Sequence, residues 1–156
     1  MNQTFNTSLF NTSTMLRSAL AAIVCTAAIG LASPSMAAVV NLKASLSAAS
    51  EVPANASKGT GSVTATFDTA SKKLTYQGTY KDLSGPATAA HFHTGEPGKN
   101  GGVAVPIFGG ANAKSPFAGE ATLTDAQASD LLAGKMYVNI HTAANKAGEI
   151  RGQVTK

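Results

Sequence analysis

Tryptophan is missing from this 156-residue sequence, cysteine occurs once and histidine three times. The one cysteine, Cys25, lies in an apolar run near the N-terminus. Beyond that run there is no thiol for a disulfide, a thiolate ligand or a cysteine nucleophile. Val24 precedes Cys25 and the run continues past it, so the small residue that a lipoprotein signal needs is missing. Charge is also sparse, at 13% of residues, and basic residues are scattered singly, with Lys72-Lys73 the densest spot. A nucleic-acid partner needs a clustered basic patch with interleaved aromatics, and none is present. No Gly-x-Ser-x-Gly motif marks a serine nucleophile. The glycines of 94–102 lack the strand-to-helix setting of a phosphate loop and read as turn residues.

What remains begins with a leader. Residues 18–32 are uncharged and apolar, Arg17 precedes them, and Ser35 and Ala37 occupy the −3 and −1 positions of a small-residue cleavage site. This is the pattern of a Sec-type secretory signal peptide over residues 1–37, with Met15 as an alternative start. The apolar run falls short of the roughly 20 residues that span a membrane, so no membrane association is expected of the mature form. Twelve Lys and Arg less Arg17 leave eleven against eight acidic residues, a net charge of +3 over 38–156. The expected location is periplasmic or secreted.

The mature segment alternates with period two. Val40, Leu42, Ala44 and Leu46 share one face of a strand, as do Val63, Ala65 and Phe67 of the next. Asp68–Lys73 is a turn, and 74–80 returns as the second arm of a hairpin. Further strands fall at 89–94, 103–108, 117–123, 135–142 and 149–154, and Pro106 predicts an edge or a bulge. One helix is signalled over 124–134, with Thr124 and Gln127 as a capping box and Gly134 as the stop. About eight short strands with regular turns and one short helix predict an all-β, Greek-key-like antiparallel β-sandwich. No domain boundary, repeat or low-complexity tract divides 38–156.

Several motifs occur in order. They are Glu51-Val52-Pro53, Ala90-His91-Phe92-His93-Thr94-Gly95, Pro97-Gly98-x-x-Gly101-Gly102-Val103, Tyr137-Val138-Asn139-Ile140-His141-Thr142 and Gly148-Glu149-Ile150-Arg151-Gly152-Gln153. Together they resemble the CHRD domain, a module repeated in the animal extracellular protein chordin and found singly in secreted bacterial proteins. The resemblance spans about residues 41–154. It implies an extracytoplasmic β-sandwich and little about chemistry. The sequence as a whole reads as a binding or interaction module toward a protein or small ligand, more than an enzyme.

Strand parity locates the candidate site. Ala90, Phe92, Val138, Ile140, Ile150 and Val154 form the apolar face, which places His91, His93, Tyr137, Asn139, His141, Glu149, Arg151 and Gln153 on the other, outward face. Val52 is expected to bury and order the Glu51–Pro53 loop. Histidines at i and i+2 on one strand and a third on another can present three neutral nitrogens to one metal ion, with a fourth position open. An all-nitrogen set suits copper or zinc. Asn139, Glu149 or Gln153 would hold the second ring nitrogen of a ligand, with Arg151 in the same polar network. The arrangement is similar to the copper half of copper/zinc superoxide dismutase. No histidine or cysteine is left for that family's zinc site and disulfide, which leaves a dismutase-like oxidoreductase the lesser reading. The alternatives to a metal site are a hydrogen-bonded structural network and a pH-sensitive contact.

Overall fold

Alternation of small or apolar residues with Thr, Ser and Lys drives the chain into strands with one wet and one dry face. In the computed structural model, which describes residues 37–110 and 113–156, these are β1 (Val39–Ser47), β2 (Thr60–Asp68), β3 (Lys73–Lys81), β4 (Ala87–Thr94), β5 (Val103–Gly109), β6 (Phe117–Thr122), β7 (Met136–Thr142) and β8 (Ile150–Gln153). Among the described residues one α-helix, α1 (Asp125–Leu132), lies between β6 and β7. The leader expected at 1–37 falls outside the described residues but for Ala37.

All eight strands join one antiparallel sheet in the order β5-β4-β7-β8-β1-β2-β3-β6. Non-sequential neighbours β1–β8, β3–β6 and β4–β7 give the interleaved order expected of a Greek-key-like fold. The sheet curls until its edges approach, so the sandwich is a nearly closed barrel and not two separate sheets. Phe108 of β5 meets Phe117 of β6 at a ring-centroid distance of 5.4 Å, and Tyr80 packs on both at 6.1 and 6.3 Å. This aromatic seam shields edge backbone that would otherwise offer itself to other chains. Pro106 sits on edge strand β5, as its missing N–H requires, and the β4–β5 register slips at Ala90/His91 and Phe92/His93 around it.

The dry face closes on Leu42, Leu46, Val63, Phe67, Leu74, Phe92, Val138, Ile140 and Ile150. Helix α1 begins with both halves of the capping box: Gln127 N–H donates to Thr124 Oγ1, and Thr124 N–H donates to Gln127 Oε1. The same Gln127 donates through Nε2 to the Ala104 carbonyl, which fastens the helix to β5. Gly134 ends it with φ +71°.

A buried carboxylate ties three loops at one end of the barrel. Glu149 accepts from Ser57 Oγ at 2.6 Å, Ser84 N–H at 2.6 Å, Ser84 Oγ at 2.7 Å, Asn145 Nδ2 at 3.1 Å, and the Thr142 hydroxyl. Burial works against its charge, but the hydrogen bonds from Ser57, Ser84 and Thr142 outweigh it and bring its pKa down to about 2. A depressed pKa means stability present above the unfolded value, 4.5, and lost as pH falls toward 2. Glu149→Gln therefore lowers the unfolding free energy at pH 7 by on the order of 2 kcal/mol. In denaturant titrations that deficit shrinks as pH drops below about 4.5; a pH-independent deficit would mean the charge is irrelevant.

Candidate metal centre

Three adjacent strands build the site. β4, β7 and β8 are in register so that His91 lies opposite Asn139 and Asn139 opposite Arg151, while His93 lies opposite Tyr137 and Tyr137 opposite Gln153. His141 lies opposite Ala89, one step further along. On the other face Ala90, Phe92, Val138, Ile140 and Ile150 are wholly buried, so the parity of the apolar face is as expected. The polar face, expected to point outward, is itself covered. Tyr137, Asn139 and Arg151 are 3%, 3% and 2% exposed. Two loops lie over it, one carrying Glu51 and the other running from Gly95 to Gly102. Period-two reasoning separates two faces but says nothing of what loops later cover them.

Arg151 organises this covering. Its Nη2 donates to the Lys99 carbonyl at 2.7 Å and the Glu96 carbonyl at 3.4 Å, and its Nη1 donates to Asn100 Oδ1 at 3.1 Å. Its Cζ stands 3.4 Å from the centroid of the Tyr137 ring, a cation–π contact. Tyr137 also stacks on His93, 4.9 Å between centroids and 8° between planes. The Tyr137 hydroxyl accepts from Gly101 N–H at 3.1 Å. Asn100 Nδ2 donates to the Val52 carbonyl at 2.8 Å and joins the two loops. Gln153 Nε2 donates to the Gly95 and Gly134 carbonyls at 3.0 and 2.8 Å, so it supports the loop and holds no imidazole.

The loops then set the histidines. His93 Nδ1 pairs with the Gly101 carbonyl and His141 Nδ1 with the Lys146 carbonyl, each at 3.0 Å. A carbonyl only accepts, so both Nδ1 carry hydrogen and both Nε2 offer a lone pair. The partners expected for the second ring nitrogens were side chains; at His93 and His141 backbone carbonyls fill that role instead. His141 Nε2 is 3.2 Å from His91 Nδ1. His93 Nε2 is buried with no hydrogen-bond partner. One nitrogen from each ring lies within 4.8 Å of the others, and no further His, Asp or Glu joins this cluster among the described residues. Burial lowers the pKa of all three imidazoles; His93 adds to the effect on His91, Arg151 to that on His93, and His91 and His93 to that on His141. All three are thereby held in the neutral, ligand-competent form.

Glu149 does not join this group. The backbone departs from strand geometry before β8, and its carboxylate turns to the Ser57–Ser84–Thr142 cluster described above. Glu51 takes the place of the carboxyl on the polar face. It is 8% exposed, and both its oxygens accept from Asn139 Nδ2 at 3.0 Å. Val52, expected to be the buried residue of that loop, is only half-buried. A loop residue has no strand parity to follow, so its direction was invisible in the sequence; the presence of Glu51-Val52-Pro53 among the motifs was the one signal for it.

The sequence profile of the CHRD domain family matches residues 42–154. The chain belongs to that family. No curated protein and no solved structure gave a match. CHRD domains are extracellular or secreted, and membership points to a binding or interaction module. Among the described residues no helix is long and apolar enough to cross a membrane. In this CHRD domain a Cβ at Gly101 would overlap the Thr94 carbonyl, so the loop closes over His93 only with glycine there. Gly101→Ala is expected to lower the unfolding midpoint and to speed hydrogen exchange at the Thr94 amide, which bonds the Gly102 carbonyl at 3.0 Å. Unchanged exchange would show that the loop does not depend on that approach.

Proposed function

We propose that this CHRD domain is an exported binding module that holds one transition-metal ion, copper or zinc, on His91, His93 and His141. The observation that carries the reading is the buried, unpartnered Nε2 of His93 beside two other imidazoles whose nitrogens lie within 4.8 Å. A buried lone pair without a donor costs free energy unless something occupies it. Bonds of 2.0–2.1 Å in tetrahedral geometry put ligand nitrogens about 3.4 Å apart. The His91–His141 pair, at 3.2 Å, already has that spacing, and the third nitrogen has to close by about 1.4 Å at most. Three neutral nitrogens with no thiolate suit copper or zinc. Binding requires His91 to carry its proton on Nε2 and not on Nδ1. Asn139 Oδ1, directly opposite in register and buried without a partner, offers an acceptor for it.

The competing reading is a purely structural network that ties the 94–102 loop to the sheet. The carbonyl bonds of His93 and His141 favour it; it leaves His93 Nε2 and Asn139 Oδ1 unexplained. Turnover of the dismutase type is a lesser reading, since it adds a redox function to a site for which binding alone accounts.

Protein purified from the exporting compartment is expected to carry about one equivalent of copper or zinc, and the His91→Ala/His93→Ala/His141→Ala variant none. Equal, negligible metal in both would leave the structural network. We further propose that residues 1–37 are the leader and are removed on export. N-terminal sequencing of the exported protein is then expected to begin at Ala38, and a chain still beginning at Met1 or Met15 would refute this.

A further inference from the structure

Glu51 is a buried carboxyl with no cationic hydrogen-bond partner. Both its oxygens accept from the Asn139 amide, at 3.0 Å each. Gly148 packs so closely on the pair that any Cβ there would overlap both Asn139 and Glu51 Oε1. Arg151 is the charged group facing it from β8, but the guanidinium spends its hydrogen bonds on Glu96, Lys99 and Asn100. Asn139 faces it from β7, and beyond Asn139 stand His91 on β4 and His141 on β7. Glu96 pairs with Lys135 at 3.2 Å, Lys99 and Lys146 are exposed, and Glu149 is turned to its own cluster. One amide therefore separates the carboxyl of this face from a histidine of the three-nitrogen group.

The charge balance on this face decides what Glu51 does. Three neutral imidazoles leave both charges of a divalent ion uncancelled, on a face that already holds buried Arg151. Uncompensated charge under loops is costly, and an ionised carboxylate on the same covered face offsets it. Burial, partly opposed by the Asn139 hydrogen bond and by Arg151, pushes the Glu51 pKa up to about 7, so near neutral pH the group is divided between its two forms. An arriving cation favours the ionised form, and the proton leaves to solvent. A monovalent ion exerts half that pull.

We propose that Glu51 is the counter-charge of the three-histidine site: it holds a proton while the site is empty, gives it up when a divalent ion binds, and so sets the preference for divalent over monovalent metal. This rests on the metal reading above. Its test is Glu51→Gln, which keeps an acceptor for Asn139 and removes only the charge. Zinc sulfate and copper(I) serve as probes on the exported full-length domain. At pH 6.5, zinc binding in weakly buffered solution is expected to release about half to one proton more from the wild type than from E51Q. At pH 8.5 the difference vanishes, because Glu51 is by then ionised in the empty protein. E51Q is expected to weaken zinc roughly tenfold at pH 8.5, a loss typical of groups that support ligands from behind. In chelator competition it should change copper(I) affinity by less than about threefold.

Folding of the variant has its own readout. A folded-state pKa raised to about 7 from 4.5 means stability lost as pH rises between those values. Metal-free E51Q should therefore melt above the wild type at pH 8.5. Equal proton release and equal zinc affinity in two proteins that each bind one zinc would overturn the counter-charge and leave the metal site standing. A wild type that binds neither zinc nor copper(I) would overturn both.

Discussion

The polar face of this barrel depends on one buried guanidinium. Arg151 lies flat against Tyr137 and spends its donors on loop acceptors, two of them backbone carbonyls. Nine residues that include four glycines, from Thr94 to Gly102, have little reason of their own to adopt one shape. The planar, multiply donating arginine supplies that reason, which a lysine's single point charge would not. Once the loop is held, the Gly101 carbonyl is in place to fix the tautomer of His93, and the Gly101 amide is in place to bond Tyr137. The histidine geometry is thus a consequence of a contact made two strands away.

Two buried carboxylates show how local donors reverse the effect of the same burial. Glu149 is surrounded by hydroxyls and amides and stays ionised far into acid. Glu51 meets a single side-chain amide and is pushed toward neutrality. The first has the character of a clamp, holding loops at one end of the barrel by saturating a fixed charge. The second has the character of an adjustable charge, because its two forms are close in free energy near neutral pH. This difference in donors, and not burial alone, separates the behaviour of the two acids.

The proposed binding by three imidazoles fits the poverty of the rest of the chain. With no thiol in 38–156 and few charges, nitrogen is the donor available in quantity at one point. The barrel supplies rigidity through its closed aromatic seam, and two adjacent strands carry the nitrogens. Sites built on strands hold their geometry better than sites built on loops, and here loops only orient what strands position.

Alternation with period two was enough to determine the strands, the hairpin β2–β3 and the division of β4, β7 and β8 into an apolar and a polar face, while the missing N–H of Pro106 called for an edge or a bulge. The same parity put His91, His93, Tyr137, Asn139, His141, Arg151 and Gln153 on one side, and register brought those residues together. Parity failed at Glu149, because the chain leaves strand geometry just before β8, and it had no hold on Glu51, because loops carry no period. Burial of the polar face, the carbonyl partners of His93 and His141 and the opposed acidities of Glu51 and Glu149 were decided only by the tertiary structure. The acidities depend on contacts such as Glu51–Asn139 and Ser57–Glu149, tens of positions apart, and the carbonyl partners on loop conformations that strand periodicity does not describe.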